Sequence, residues 1–491
     1  MSSSTSSTSA PHPPAHTATE STLRGSIGIP GVVLLVIAAA APLTAVGGAL
    51  PVMLAIGNGS GTPVAYLVVA AVLLVFSVGY AAMSRHVVEP GAFYAYVTKG
   101  LGPSNGLGAA GLAVVGYTAI QLAIYGLAAA TMRDLVLAHG GPDVPWWAWA
   151  LAFAAMVAAL GYRSIDVGKT VLGIALALEV GVVAVLSFAI LVRGGAEGIS
   201  FATFTPGAFF QGSPGIALMF AVASFIGFEA TALYGEESRN PGRTVPAATY
   251  CAVVAIGVFY AFASWTIVLA YGPARVQAAA QSDVGDLTFA ASDRFVGTTY
   301  TEMLRILLLT SLFAALLAFH NAIARYFHAL GRSGALPVRL ARTHRVHGSP
   351  HIGSVVQTVV AVLLVSTCAL VGADPVLEVF GWMSGMATVA ILALMILTSI
   401  AVTVFFARTG ADRRWWHSRI APVLGAAGLG VVLALCIGNF TTLIGGSPAA
   451  ARALIGVVVA TFVLGAGSGL RHRRRARRDA PATPGVPVVS T

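Results

Sequence analysis

Apolar residues run along this chain in stretches of about twenty or more, divided by mostly short polar linkers. A helix crossing a bilayer core needs about 20 such residues. The pattern predicts twelve spans, over roughly residues 27–56, 63–84, 107–132, 146–162, 168–192, 214–236, 246–271, 302–330, 352–372, 377–406, 418–440 and 449–469. The longest outer linker, 272–301, carries Asp283, Asp286, Asp293 and Arg294.

Two of these stretches are interrupted. The first reads VIAAAAPLTAVGGALPVML: Pro42 removes a backbone donor, and Gly47-Gly48 loosens the helix just after it. The sixth reads LMFAVASFIGFEATAL, with Gly227 beside a charge, Glu229. The first and sixth spans each open a group of five. Breaks at matching positions of two five-helix halves point to inverted repeats of the kind found in transporters. The fold class expected is an all-α polytopic membrane protein of about 12 transmembrane helices. Its organisation would be a tail (1–24), a first repeat (25–193), a second inverted repeat (194–407), two further helices (408–470) and a basic tail (471–491).

Composition agrees with a membrane location. Of 491 residues, 57% are hydrophobic and 9% charged, against about 25% charged in soluble domains. The 55 glycines suit helices that pack closely in lipid. The first 23 residues are rich in Ser, Thr, Pro and His, and read as a disordered tail rather than a signal peptide. With the N-terminus inside, only Arg133, Arg193, Arg275, Arg294, Arg305 and Arg452 of the 28 lysines and arginines fall outside. This bias predicts both termini in the cytoplasm of a bacterial-type plasma membrane. The run RHRRRARR follows the last span at once, so its expected partner is the anionic inner leaflet and not nucleic acid.

Other motifs carry little. Cys251, Cys368 and Cys436 stand singly in apolar runs and read as core packing, without metal-ligand spacing. GLGAAG at 106–111 matches a dinucleotide-binding spacing, yet it opens a membrane span and reads as helix packing. No phosphate-binding loop, zinc-protease or serine-hydrolase motif occurs, and His344, His347 and His351 sit in a basic loop without carboxylate company. Neither an enzyme, a metal nor a cofactor is expected.

The chemistry gathers at the breaks. Unwound backbone in a membrane needs partners. A half-helix beginning near Gly47 would offer N–H groups to a carboxylate, and half-helices ending near Leu43 and Ile226 would offer carbonyls to an ammonium. Together they suit a small zwitterion such as an amino acid. Glu229 is costly at mid-membrane depth, about 2.5–3.5 kcal/mol on insertion scales. It can exchange a proton during transport, pair with a substrate amine, or simply brace freed backbone. Glu179 lies near the middle of the fifth span and either serves coupling or bridges helices. In the eighth span Ser311, Ala315, Ala318, Ala322 and Arg325 recur at helical spacing as a small-residue packing face, with Thr310 and Ser311 as candidate ion or hydrogen-bond partners.

The stretches FIGFEATALYGEESRNPGRTVPAA, FHNAIARYFHALGRSGALP and EPGAFYAYVTKGLG resemble the amino acid–polyamine–organocation permease superfamily, and the likeness covers nearly all of residues 25–470. It implies a leucine-transporter-like core of two inverted five-helix repeats plus two helices, with substrate held at the breaks by alternating access. Thr44, Ala45 and Val46 fall where many members have a Gly-Ser-Gly-like carboxylate-binding stretch, and Gly47 and Gly48 follow. Glu229 matches the family's acidic position in helix six. Phe225 falls near its aromatic lid, and Ala223 takes a place held by Trp in some members. Glu179 matches a position that is lysine in several proton-coupled relatives, where it is thought to replace a sodium ion.

The reading is a proton-coupled or exchange-type permease for amino acids or related amines. A polyamine carrier and a non-transporting sensor on the same fold are the alternatives. The substrate-binding candidates are Thr44, Ala45, Val46, Gly47, Gly48, Phe225, Gly227 and Glu229, and the coupling candidates are Glu179, Glu229, Thr310 and Ser311. The sequence leaves the oligomeric state open. For the orientation, a cysteine introduced at Asp286 should label from outside intact cells and one at Arg342 should not; outside labelling at Arg342 would overturn it.

Overall fold

In a computed structural model the chain is described over residues 28–87, 93–162, 169–232, 238–344 and 349–479. The expected tail at 1–24, part of the EPGAFYAYVTKGLG stretch, Arg163, Arg345, His347 and the end of the basic tail lie outside these residues. Among the described residues the protein is helical, without an extended strand.

Twelve apolar helices follow one another, labelled α1 to α12 here. They are α1 (Ile29–Ile56, interrupted), α2 (Thr62–Ser84), α3 (Pro103–Ala138), α4 (Trp146–Tyr162), α5 (Lys169–Val192) and α6 (Pro214–Phe225). Then come α7 (Pro241–Tyr271), α8 (Thr298–Arg332), α9 (His351–Leu370), α10 (Pro375–Thr409), α11 (Trp416–Leu443) and α12 (Pro448–Leu470). Among the described residues ten are long and apolar enough to cross a membrane; α4 and α6 are shorter. Several open on a proline in the first turn, as Pro63, Pro103, Pro214 and Pro375 do, where the missing N–H has no intrahelical partner to lose.

The helices form one bundle around α3, whose most apolar stretch is 72% buried against 11% for α12. α3 packs on α8, α10 and α12, while α2 packs on α7 and α11. Glycine sets the closest approaches. A Cβ on Gly108 would lie 2.6 Å from the Phe462 ring of α12, which is the packing role expected of GLGAAG. α1 crosses the interior beside α5, α7 and the end of α6.

Two expectations are amended, and the linker at 272–301 is structured: it holds short helices Val276–Ser282 and Leu287–Phe295, which dock on α1. Thr288 donates to the Val46 carbonyl (3.0 Å) and Gln281 to that of Ala55 (2.9 Å), because the π-helical turn at Ala45–Ala49 and the end of α1 leave carbonyls to be met. The small-residue face of α8 is incomplete, since Ser311 and Ala315 are buried while Ala318 and Arg325 are exposed. Of the cysteines only Cys436 is a core residue; Cys251 is exposed on α7.

Candidate functional site

The first break lies at Ala40–Ala41. The first half of α1, called inner here after the orientation expected from the sequence, ends at Ala39, and the second half, called outer, restarts at Pro42. Ala41 has φ 46°, and is the one non-glycine residue in the left-handed region among those described. Such backbone costs an L-residue about 1–2 kcal/mol. The cause is local: the proline ring disfavours helical backbone at the residue before it. The break therefore falls earlier than the glycine pair suggested. The outer half continues through a π-helical turn at Ala45–Ala49 that contains Gly47 and Gly48.

The second break follows Phe225. Ile226 turns extended (ψ 126°), Gly227 takes φ 115°, and a 3-10 turn runs over Phe228–Ala232. The two breaks touch. A Cβ on Gly227 would lie 3.2 Å from the Ala39 carbonyl carbon and oxygen, so glycine is required both by its φ and by this contact.

Backbone groups freed at the breaks have side-chain partners. The single hydroxyl hydrogen of Tyr260, on α7, is shared between the carbonyls of Ala40 (3.2 Å) and Ser224 (3.4 Å), one from each broken helix. Glu179 accepts from the Leu43 amide at the start of the outer half of α1 (3.4 Å), where a carboxylate complements the positive helix end. The hydroxyls of Thr44 and Ser311 are 3.5 Å apart, and Ser311 lies beside Glu179. Glu229 is 2% exposed. It accepts from its neighbour amide Gly227 (2.9 Å) and from the Tyr117 hydroxyl of α3 (2.6 Å), while Tyr80 donates to its backbone carbonyl (2.8 Å).

Between the breaks, α3, α8 and α10 lies a cavity of about 40 Å³. Its wall holds Ala40, Ala41, Thr44, Ala45, Ser224 and Ile226 from the breaks, with Phe220, Phe319 and Phe380 around them. Ser384 of α10 also lines it, and its buried hydroxyl has no hydrogen-bond partner. Among the described residues no charged side chain lines the wall.

The sequence candidates separate on this geometry. Thr44 and Ala45 line the cavity. Val46 presents its carbonyl to Thr288 instead. Gly47 and Gly48 are packing positions, where a Cβ would sit 3.1 Å from Leu308 and 2.3 Å from Leu127. Phe225 turns away from the cavity to stack edge-on against Tyr260, at 5.9 Å between ring centres. Gly227 and Glu229 lie at the break behind the wall. Glu179, Thr44 and Ser311 come together, but Thr310 is exposed and bonds the Leu307 carbonyl of its own helix. Tyr260, Phe220, Phe380 and Ser384 were not singled out from sequence. Each is an ordinary apolar-helix residue until α6, α7 and α10 are packed around the breaks.

Two interrupted helices meeting beside a small cavity within a bundle of apolar helices are what a polytopic membrane protein of the permease class would present. The chain belongs to the amino acid permease family, whose model matches residues 31–478, and so to the amino acid–polyamine–organocation superfamily. It is 24% identical over 284 residues to the low-affinity putrescine importer PlaP of Escherichia coli, covering 56% of this chain and 60% of that one. It is 27% identical over 317 residues to an uncharacterised transporter of Mycobacterium tuberculosis, covering 58% of this chain and 63% of the other. The aligned part thus spans under two thirds of these relatives.

Tyr260→Phe removes a donor shared by both breaks while keeping the ring. It should lower stability by about 1–3 kcal/mol, the cost of buried polar groups left unpaired. Thermal unfolding in detergent checks this; an unchanged midpoint would mean the two carbonyls have other partners.

Proposed function

We propose that this protein is a secondary active permease for amino acids or related amines, working by alternating access and coupled to protons or to exchange. The observation that carries the reading is the meeting of the two broken helices, with Glu229 held at the second break behind the cavity wall. Freed carbonyls at Ala40 and Ser224 suit a substrate ammonium, and Thr44 and Ser384 supply hydroxyls. Alternating access would open this cavity to one side of the membrane and then to the other. In this scheme residues 25–193 and 194–407 form the inverted repeats and 408–470 the added helices. Both termini face the cytoplasm of the plasma membrane.

Glu229 and Glu179 have separate roles in this reading. Glu229 exchanges a proton as the second break opens, with Tyr117 as its partner in the closed state. Glu179 holds the N-terminus of the outer half of α1 against α5 and α8, so its protonation would loosen that hinge. The kinship with a putrescine importer favours a second reading, a polyamine carrier. Against it, a second ammonium would meet no carboxylate on the cavity wall.

Uptake into proteoliposomes of a labelled panel of amino acids, monoamines and diamines, with and without a pH gradient, tests the class. Uptake of neutral amino acids or monoamines above diamines supports the first reading; preference for diamines supports the second. Glu229→Gln should bind substrate within about tenfold of the parent, a change of roughly 1.4 kcal/mol, yet lose accumulation driven by a pH gradient. Accumulation at the parent rate would make Glu229 a structural brace.

A further inference from the structure

Where α11 begins, the chain reads Asp412-Arg413-Arg414-Trp415-Trp416-His417-Ser418-Arg419-Ile420. The helix opens with a π-helical turn over Trp416–Ile420. Trp415 and Trp416 are 69% and 48% exposed, although indole is costly to leave in water. The Arg419 guanidinium lies over the Trp415 ring, 5.3 Å from its centre.

The charges here do not cancel. Asp412 is the single acid of the segment and is committed to Arg414, which donates to both its oxygens (3.0 and 2.6 Å). That pairing holds the Asp412 carboxyl down at about 2. Arg413 and Arg419 remain exposed, and Arg85, at the end of α2, adds its charge near His417. Directly above, Ile420, Val423 and Leu424 are exposed along α11.

Basic groups, then indoles, then an aliphatic wall is the order in which a phospholipid presents phosphate, glycerol and chains. Arginine recognises phosphate by paired N–H groups, and indoles favour the interfacial level. We propose that the start of α11 is a binding site for an anionic phospholipid. Arg413 and Arg419 take the headgroup phosphate, Trp415 and Trp416 lie at the glycerol level, and Ile420, Val423 and Leu424 run along the chains. The orientation argued above puts this lipid in the inner leaflet.

The site also bears on the transport core. α11 rests directly on α2: a Cβ on Gly79 would lie 2.6 Å from Pro422, and one on Gly425 would lie 3.0 Å from the Phe76 backbone. Phe76 in turn packs edge-on against Phe228, beside Glu229 (6.1 Å). Lipid held at α11 therefore buttresses the helix that supports the second break.

The test uses the full chain in nanodiscs containing phosphatidylglycerol and phosphatidylcholine, with bromine on the chains of one lipid or the other. Both leaflets are present, so the result does not depend on orientation or on transport. The quenching owed to Trp415 and Trp416 is isolated by subtracting that of a Trp415→Phe/Trp416→Phe variant. Brominated phosphatidylglycerol should quench this pair about fivefold better per molecule than brominated phosphatidylcholine, the preference one arginine near the surface gives. Arg413→Gln/Arg419→Gln should abolish the preference, and Arg413→Lys/Arg419→Lys should keep most of it, which separates lost charge from lost fold. Equal quenching by the two lipids in the parent would reduce the segment to a general interfacial anchor and overturn the proposal. So would loss of the preference in millimolar inorganic phosphate, which would mark a free-anion site.

Discussion

Backbone in an apolar interior must be hydrogen-bonded, and this protein interrupts two helices inside its bundle. Every other feature of its centre answers that constraint. The breaks are placed against each other, so one tyrosine, Tyr260, can donate to a freed carbonyl of each. The carboxylates of Glu179 and Glu229 each accept from an amide at a break, at Leu43 and Gly227. The strained backbone at Ala41 is held because the structure on both sides of it is fixed by packing.

These partners come from helices that do not themselves break. Glu179 is on α5, Tyr260 on α7, Tyr117 on α3 and Ser311 on α8. The centre is thus a set of loose ends tied by side chains from intact helices. Such ties can be exchanged one at a time: Glu229 gives up Tyr117, or Glu179 gives up Leu43, without unfolding a helix. That is the physical property a protein alternating between two open states needs, since each state must leave the freed groups paired. The outer segment takes part as well, because Thr288 meets the carbonyl of Val46 in the outer half of α1.

Two carboxylates in one membrane domain look equivalent in composition but differ in surroundings. Glu229 is enclosed by tyrosines, with Tyr80 and Tyr117 both bonded to it. Glu179 sits among small hydroxyls and a helix terminus. The first environment offers donors that can rotate away; the second offers a fixed positive helix end. This contrast supports assigning proton exchange to Glu229 and hinge control to Glu179.

The length and spacing of apolar runs were legible in the sequence, because a helix that must cross lipid needs a fixed number of apolar residues wherever it packs. So most of the apolar helices appear within a few residues of their expected places, although the sixth, expected over 214–236, ends at Phe225, and both breaks were signalled by Pro42 and by Gly227 with Glu229. The exact seat of the first break was not, since the glycine pair that drew attention proved to serve packing against Leu308 and Leu127. Nor could periodicity tell that Thr310 faces outward while Ser311 faces in, or that Phe225 turns from the cavity and Phe220, Phe319 and Phe380 line it. In lipid both faces of a helix are apolar, so hydrophobicity does not say which side is inside. Only the packing of helices distant in the chain decides which residues meet at the centre, and that information lies in shape rather than in pattern.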